Sequence, residues 1–199
     1  MQPLLEAWRK YLKESAGGTI IAIFGPSGCG KSWHKNTLKK MGWKEIVSTS
    51  TRQPRGKEDI EYSFLQKGEW QKMKEDGLLI NTNYYEENYY GTRFKDFKNA
   101  KKSVMLTDFT NVNGSRGYDD LKKIAEHNGK NLILVYCVPP SSQELITRHQ
   151  ERGTPERIER AAKEMGEMNY EVKTNIPEAI WVDSDEDIIE LANSLEGSS

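Results

Sequence analysis

Apolar residues along this chain fall into short, dense runs separated by longer charged stretches. Residues 19–24, TIIAIF, are apolar throughout and rich in β-branched side chains. A strand covered on both faces reads this way, without alternation. SVMLTD from Ser103 and NLILVYCV from Asn131 have the same character, and KEIVS from Lys44 and EAIWVD over 178–183 are shorter strand candidates. Between the runs, helices are predicted from the end of the Gly25–Lys31 loop to Met41, over GEWQKMKEDG, over 94–101, near 117–127 and over DEDIIELANSL. Gly42 and Gly77 are natural helix stops. LLINTNYYEENYYGT predicts two short strands around a tip at Glu86-Glu87-Asn88. Residues 141–171 are helical in character, broken at Gly153-Thr154-Pro155. Residues 3–15 read as an amphipathic lead-in helix ended by Gly17-Gly18.

Apolar strands alternating with helices predict an α/β fold with a mostly parallel central sheet. Two polar, charged segments interrupt that rhythm, 48–95 and 141–165, and are candidate flaps over an active site. A chain of 199 residues is enough for one domain with such inserts. Lys and Arg number 29 against 30 Asp and Glu, a formal charge of -1. That balance argues against a general nucleic-acid or membrane surface. No apolar run approaches the ~20 residues that span a bilayer. The first eighteen residues mix Glu, Lys, Arg and Trp and do not resemble a secretory signal, so a cytoplasmic protein is expected. The two cysteines, Cys29 and Cys137, have no zinc spacing and make no disulfide framework. His34, His127 and His149 are scattered, and each reads as a packing or surface residue.

The chemistry starts at Gly25-Pro26-Ser27-Gly28-Cys29-Gly30-Lys31-Ser32, a full match to G-x-x-x-x-G-K-[ST] between an apolar strand and a helix. Glycines let the backbone curl so that its N–H groups point at phosphates. The helix N-terminus adds positive potential at the same place. Lys31 brings a full charge to the β/γ-phosphates of a nucleotide, and the Ser32 hydroxyl is a candidate Mg²⁺ ligand. A second anion site is suggested by TRQPR, Thr51 to Arg55. Pro54 biases Gln53 toward extended backbone, so Arg52 and Arg55 would share a loop. Paired guanidinium groups favour bidentate contact with phosphate, and Tyr62 could add a hydroxyl. The competing reading is a solvated basic loop paired with Glu58, Asp59 and Glu61.

STSTRQPRGKEDIEYSFL, from Ser48, resembles the guanylate kinase family, whose pattern there is S-x-T-T-R-x-P-R followed by D-Y-x-F. The resemblance continues in NYYGT from Asn88, in PPSSQELITRHQERGT from Pro139, and in Arg160 followed by Glu167. With the phosphate loop that makes four motifs in order, covering almost all of the chain after Gly18. The resemblance implies a P-loop three-layer fold in one domain: a core of 18–47, 96–140 and 166–199, a nucleoside monophosphate (NMP)-binding insert over 48–95, and a helical lid over 141–165, to which the amphipathic N-terminal helix, assigned to 1–17, is an addition. It implies that Arg52, Arg55, Tyr62 and Tyr90 hold the monophosphate and that Ser48 and Thr92 face its base. Arg152 and Arg160 would close with the lid onto the transferring phosphate, with Arg148 a further candidate. Gly25 to Ser32 would hold ATP and Mg²⁺. Lys31, Arg55, Arg152 and Arg160 are the implied catalytic cations.

Three departures bear on the substrate. The turn before Tyr62 is two residues shorter than the usual family form, and Glu61 stands for its aspartate. Counted back from Tyr90, the family's base-reading glutamate falls on Asn81. A carboxylate accepts two protons from guanine, whereas an amide offers one acceptor and one donor group. Finally, the family's LDID strand end is LTDF, Leu106 to Phe109. Asp108 is the preferred candidate for a functional acid near the metal or base, while a one-residue shift would place Thr107 at the family position.

The expected activity is therefore ATP-dependent phosphorylation of GMP or dGMP to the diphosphate. Two alternatives stand beside it: the same transfer to dTMP, dUMP or IMP, and a non-catalytic guanylate-kinase-like module that binds protein partners. An intact Lys31-Ser32 beside four arginines argues for the enzyme. A nucleotide-binding monomer or homodimer without nucleic-acid or membrane partners is expected.

Overall fold

A computed structural model describes residues 17–56, 60, 62–107, 117–138, 141–151, 153 and 158–196. All but the last residue of the expected N-terminal helix over 1–17 lies outside them. In chain order the first elements are β1 (Thr19–Phe24), α1 (Lys31–Lys40), β2 (Lys44–Ile46), β3 (Thr49–Ser50), β4 (Ser63–Phe64), α2 (Lys67–Glu75), β5 (Leu79–Tyr85) and β6 (Asn88–Arg93). They are followed by α3 (Phe94–Lys98), β7 (Lys102–Leu106), α4 (Gly117–His127), β8 (Asn131–Cys137), α5 (Ser142–Glu151), α6 (Ile158–Asn175), β9 (Ile180–Val182) and α7 (Asp185–Glu196).

The three apolar runs form the centre of a five-stranded parallel sheet, in the order β2-β7-β1-β8-β9. Their lack of alternation has a direct cause, because both faces of the sheet are covered. Ile20, Ala22 and Phe24 of β1 pack with Met105, Tyr136, Leu121 and Ala125 on the side of α4 and α6. Ile21 and Ile23 pack with Leu38, Val135, Ile188 and Ala192 on the side of α1 and α7. Helix, sheet and helix thus make three layers. At the head of α1, Trp33 Nε1 donates to Asp185 at 2.5 Å and His34 Nδ1 lies 3.2 Å from the same carboxylate, tying α1 to the start of α7.

A second sheet, in the order β4-β3-β6-β5, lies wholly within residues 48–95. β5 and β6 form the predicted hairpin, closed at Tyr85 opposite Asn88. Its two-residue turn has positive φ at both Glu86 (46°) and Glu87 (61°), the twist that two-residue hairpins favour. β4 departs from the sequence expectation. Ser63 and Phe64 pair in parallel with Thr49 and Ser50, and no local pattern announces a two-residue parallel bridge. The helical stretch after 141 breaks as expected, with α5 ending at Glu151 and α6 beginning at Ile158. No helix among the described residues is long and apolar enough to cross a membrane.

Candidate active site

The C-terminal ends of β1, β7 and β8 open onto one place, where parallel α/β sheets bind ligands. The loop Gly25 to Gly30 leaves β1 there and enters α1 at Lys31. Gly30 caps the helix with φ 118°, a conformation available to glycine. The first turn of α1 carries no acidic residue of its own, and the Asp185 carboxylate that meets this end of the helix bonds Trp33 and His34. Gly25 is required for a different reason. A Cβ there would lie 2.7 Å from the Cys137 carbonyl oxygen and 3.0 Å from the Cys29 sulfur.

Lys31 Nζ donates to the carbonyls of Gly25 at 2.6 Å and Pro26 at 2.9 Å, which holds the ammonium across the mouth of the loop. A phosphate there would compete with charge-assisted bonds of greater strength. Helix α5 closes the loop from outside. Arg148 donates to the carbonyls of Gly28 (3.0 Å) and Cys29 (3.2 Å) and pairs with Glu144 at 2.5 Å. The buried His149 ring packs against Gly28, 3.1 Å from where a side chain would begin.

Cys29 and Cys137 are both buried and their thiols hydrogen-bond each other. Burial opposes ionisation of Cys29. The Cys137 thiol and the charges of Lys31 and Arg148 outweigh it and bring Cys29 down to about 6. Cys137 is pushed upward by its bond to Cys29 and by burial. Tyr136 is raised chiefly by burial, and then by the nearby sulfurs.

From the loop a cleft of about 550 Å³, open to solvent, runs toward the second sheet. Lys31 and Ser32 line one part, and Ser48, Tyr62, Asn81, Asn83, Tyr90 and Thr107 line the rest. Tyr62 and Tyr90 meet edge to face at 5.6 Å, and the Arg52 guanidinium sits 5.1 Å from the rings of Tyr62 and Phe64. Stacking on these rings holds Arg52 beside Tyr62, which lines the cleft.

Six of the residues singled out from the sequence (Lys31, Ser32, Ser48, Tyr62, Asn81 and Tyr90) therefore line a single cleft, although they come from three distant segments. Thr92 is 1% exposed, its hydroxyl 3.4 Å from that of Ser48. Arg55 is exposed on the loop before Gly56. Asp108, Arg152 and the side chain of Arg160 lie outside the described residues. Asn83 was missed, although it stands two residues from Asn81 on one strand and strand alternation could have found it. The bonds from Arg148 to the loop carbonyls and the meeting of Cys29 with Cys137 left no local signal in the sequence.

Magnesium needs few protein ligands when phosphates and water supply the rest. The described residues hold no cluster of three or more His, Cys, Asp or Glu that could bind a metal alone. The Ser32 hydroxyl on the cleft wall fits a metal carried in by nucleotide phosphates.

Residues 17–195 match the guanylate kinase family profile. A guanylate kinase from Aster yellows witches'-broom phytoplasma is 30% identical over 155 residues, 74% of this chain and 70% of that protein. One from Wigglesworthia glossinidia brevipalpis is 39% identical over 134 residues, 64% of this chain and 61% of that protein. The solved guanylate kinase of Anaplasma phagocytophilum shares the fold, with a TM-score of 0.59 at 21% identity over 90% of this chain and 85% of that one. A match from the start of β1 to the last turn of α7, with a phosphate loop where that match requires it, makes this chain a member of the guanylate kinase family of P-loop phosphotransferases.

Proposed function

We propose that this protein is a nucleoside monophosphate kinase that transfers the γ-phosphoryl group of ATP to GMP or dGMP. One observation carries the reading: a single cleft joins the phosphate-loop residues Lys31 and Ser32 to the aromatic and amide wall of Tyr62, Tyr90 and Asn81. Two substrates held in one cleft can meet in line, and phosphoryl transfer asks the protein for little else than position and positive charge. The loop Gly25–Ser32 binds the ATP phosphates. Bound Mg²⁺ would neutralise β- and γ-phosphate charge, with Ser32 as its protein ligand.

Arg52, Arg55, Tyr62 and Tyr90 hold the acceptor phosphate, while Ser48, Asn81, Thr92 and Asp108 face its base. The segment 48–95 acts as the NMP-binding insert and 141–165 as the lid. Lys31, Arg55, Arg152 and Arg160 stabilise the group in flight. Closing the two flaps excludes water, which otherwise competes as acceptor. No protein base is required, because the acceptor phosphate is already anionic.

Lys31→Ala tests this directly. Loss of a preorganised cation on the transferring group should lower kcat by at least about 10²–10³-fold, with a smaller change in ATP affinity. Near-normal turnover in steady-state assays would remove the phosphate loop from the reaction. A second acceptor class, namely dTMP, dUMP or IMP, is favoured by one further observation, the amide of Asn81 on the cleft wall.

A further inference from the structure

Asn81 donates its amide N–H to the Thr107 hydroxyl at 2.7 Å. Thr107 is 5% exposed, and its backbone N–H bonds the Ile23 carbonyl at 3.0 Å, which extends the β1–β7 ladder by one rung. The hydroxyl is therefore anchored to the central sheet. Asn81 itself sits at an irregularity. Between Ile80, opposite Thr92, and Asn83, opposite Tyr90, β5 carries one more residue than β6. Asn81 takes φ 48° there. Asparagine tolerates this conformation better than most side chains, and bulges of this kind re-aim a side chain. Two different strands thus place one amide on the cleft wall, held at both its backbone and its tip. Among the described lining residues the other hydrogen-bonding groups near it, on Ser48, Tyr62, Asn83 and Tyr90, are neutral, and none is a carboxylate.

The inventory of an amide limits what such a wall can read. With one N–H committed to Thr107, Asn81 offers a ligand one carbonyl acceptor and one remaining N–H. That pair complements a ring N–H beside a carbonyl, the edge shared by guanine, hypoxanthine, uracil and thymine. A freely turning amide would also pair with adenine or cytosine, but the bond to Thr107 fixes its orientation, so it opposes these bases in the same pose, where a ring acceptor and an amino donor stand in the reverse places. It cannot accept from a guanine ring N–H and its 2-amino group together, which takes the two oxygens of a carboxylate.

We propose that the acceptor nucleotide is selected by its ring N–H/C=O edge, read by Asn81 with Thr107 as the positioning residue, and that this amide does not read the guanine 2-amino group. The inference rests on the kinase reading above and narrows its acceptor. GMP and IMP are then equivalent at this amide, because they differ only in the amino group, and Asp108 is the one acid assigned to the base that would accept from it.

The test measures kcat/KM with GMP, IMP, dTMP, dUMP, AMP and CMP at saturating ATP-Mg²⁺, and calorimetric binding of each monophosphate. IMP is expected within about tenfold of GMP, and AMP and CMP at least about tenfold below the best N–H/C=O substrate, as the loss of a hydrogen bond at a buried polar group implies. Asn81→Asp supplies two acceptors and should raise the GMP-to-IMP ratio at least about tenfold. Thr107→Val should raise the acceptor KM and leave the ATP KM unchanged, with Thr107→Ser restoring the acceptor KM. A preference for GMP over IMP beyond about tenfold that persists in Asp108→Asn overturns the inference, and so does an unchanged ratio in Asn81→Asp. Turnover with GMP alone leaves the kinase reading standing. No binding or turnover with any of the six overturns both. If Thr107→Val fails to fold, the GMP-to-IMP ratios of wild type, Asp108→Asn and Asn81→Asp still decide.

Discussion

Replacing Gly25 by alanine puts one methyl group at the tightest point of the phosphate loop. The Cβ would stand 2.7 Å from the Cys137 carbonyl oxygen, 3.0 Å from the Cys29 sulfur and 3.3 Å from the Cys137 Cβ. The first of these is backbone at the end of β8, where Cys137 pairs with Val182 of β9 and directly follows Tyr136, paired with Phe24 of β1, so it cannot swing away as a flexible side chain would. Residue 25 also has φ +150°, which side chains rarely adopt. Strain of that kind costs about 1–3 kcal/mol, and forcing a methyl into a packed site about 1–3 kcal/mol more. Together they amount to a destabilisation of about 2–6 kcal/mol. For a domain of this size each kcal/mol lowers the melting temperature by roughly 2–4 °C, so Gly25→Ala should melt about 4–24 °C below wild type.

Two other glycines separate the contributions. Gly129 has φ +61° and nothing within 4 Å of its would-be Cβ, so its alanine variant bears only the conformational cost of about 1 kcal/mol. Gly56 has open space and no positive φ, and its variant should melt within about 0.5 kcal/mol of wild type. Thermal unfolding followed by circular dichroism gives all three. The order 25, 129, 56 is required. A Gly25→Ala protein melting within about 2 °C of wild type would refute the packing described for the loop.

Two further predictions concern ionisable groups. With Cys29 lowered to about 6, its thiolate predominates above that pH, so the ultraviolet thiolate absorbance that is lost in Cys29→Ser should inflect near 6; an inflection at the ordinary thiol value of about 8.5 would contradict the hydrogen bond from Cys137 and the nearby charges. Glu45 is opposed by burial but held below the usual carboxylate range by Lys35 at 2.5 Å and Lys39 at 2.6 Å. Its contribution to stability is present above about pH 4.5 and lost as pH falls through its lowered value, so Glu45→Gln should cost stability near pH 7 and the gap to wild type should close in acid. Urea midpoints at the two pH values read this, and a gap independent of pH would show that the pair is not the cause.

What was legible in the sequence was mostly local. β1 and the phosphate loop could be read because an apolar run, a glycine pattern and a helix start occur in order within a dozen residues. The β5–β6 hairpin was legible for the same reason, since its turn residues sit between two aromatic-rich strands. The bulge at Asn81 was not, because its positive φ goes with a bond to Thr107, far along the chain on another sheet. The meeting of Cys29 with Cys137 was not legible either, because the β1–β8 pairing brings together residues far apart in the chain. Arg148 was grouped with cations aimed at phosphate, whereas its guanidinium donates to the loop's own carbonyls. Motif spacing identifies which residues carry chemistry, and tertiary pairing decides which groups they face.

The decisive measurement is a product balance by ³¹P NMR with the wild-type protein, ATP, Mg²⁺ and GMP. ADP and GDP should appear in equal amounts, and none should form when the monophosphate is omitted. ADP accompanied by inorganic phosphate, released at the same rate with or without GMP, would mean that the cleft does not deliver the phosphoryl group to a nucleotide.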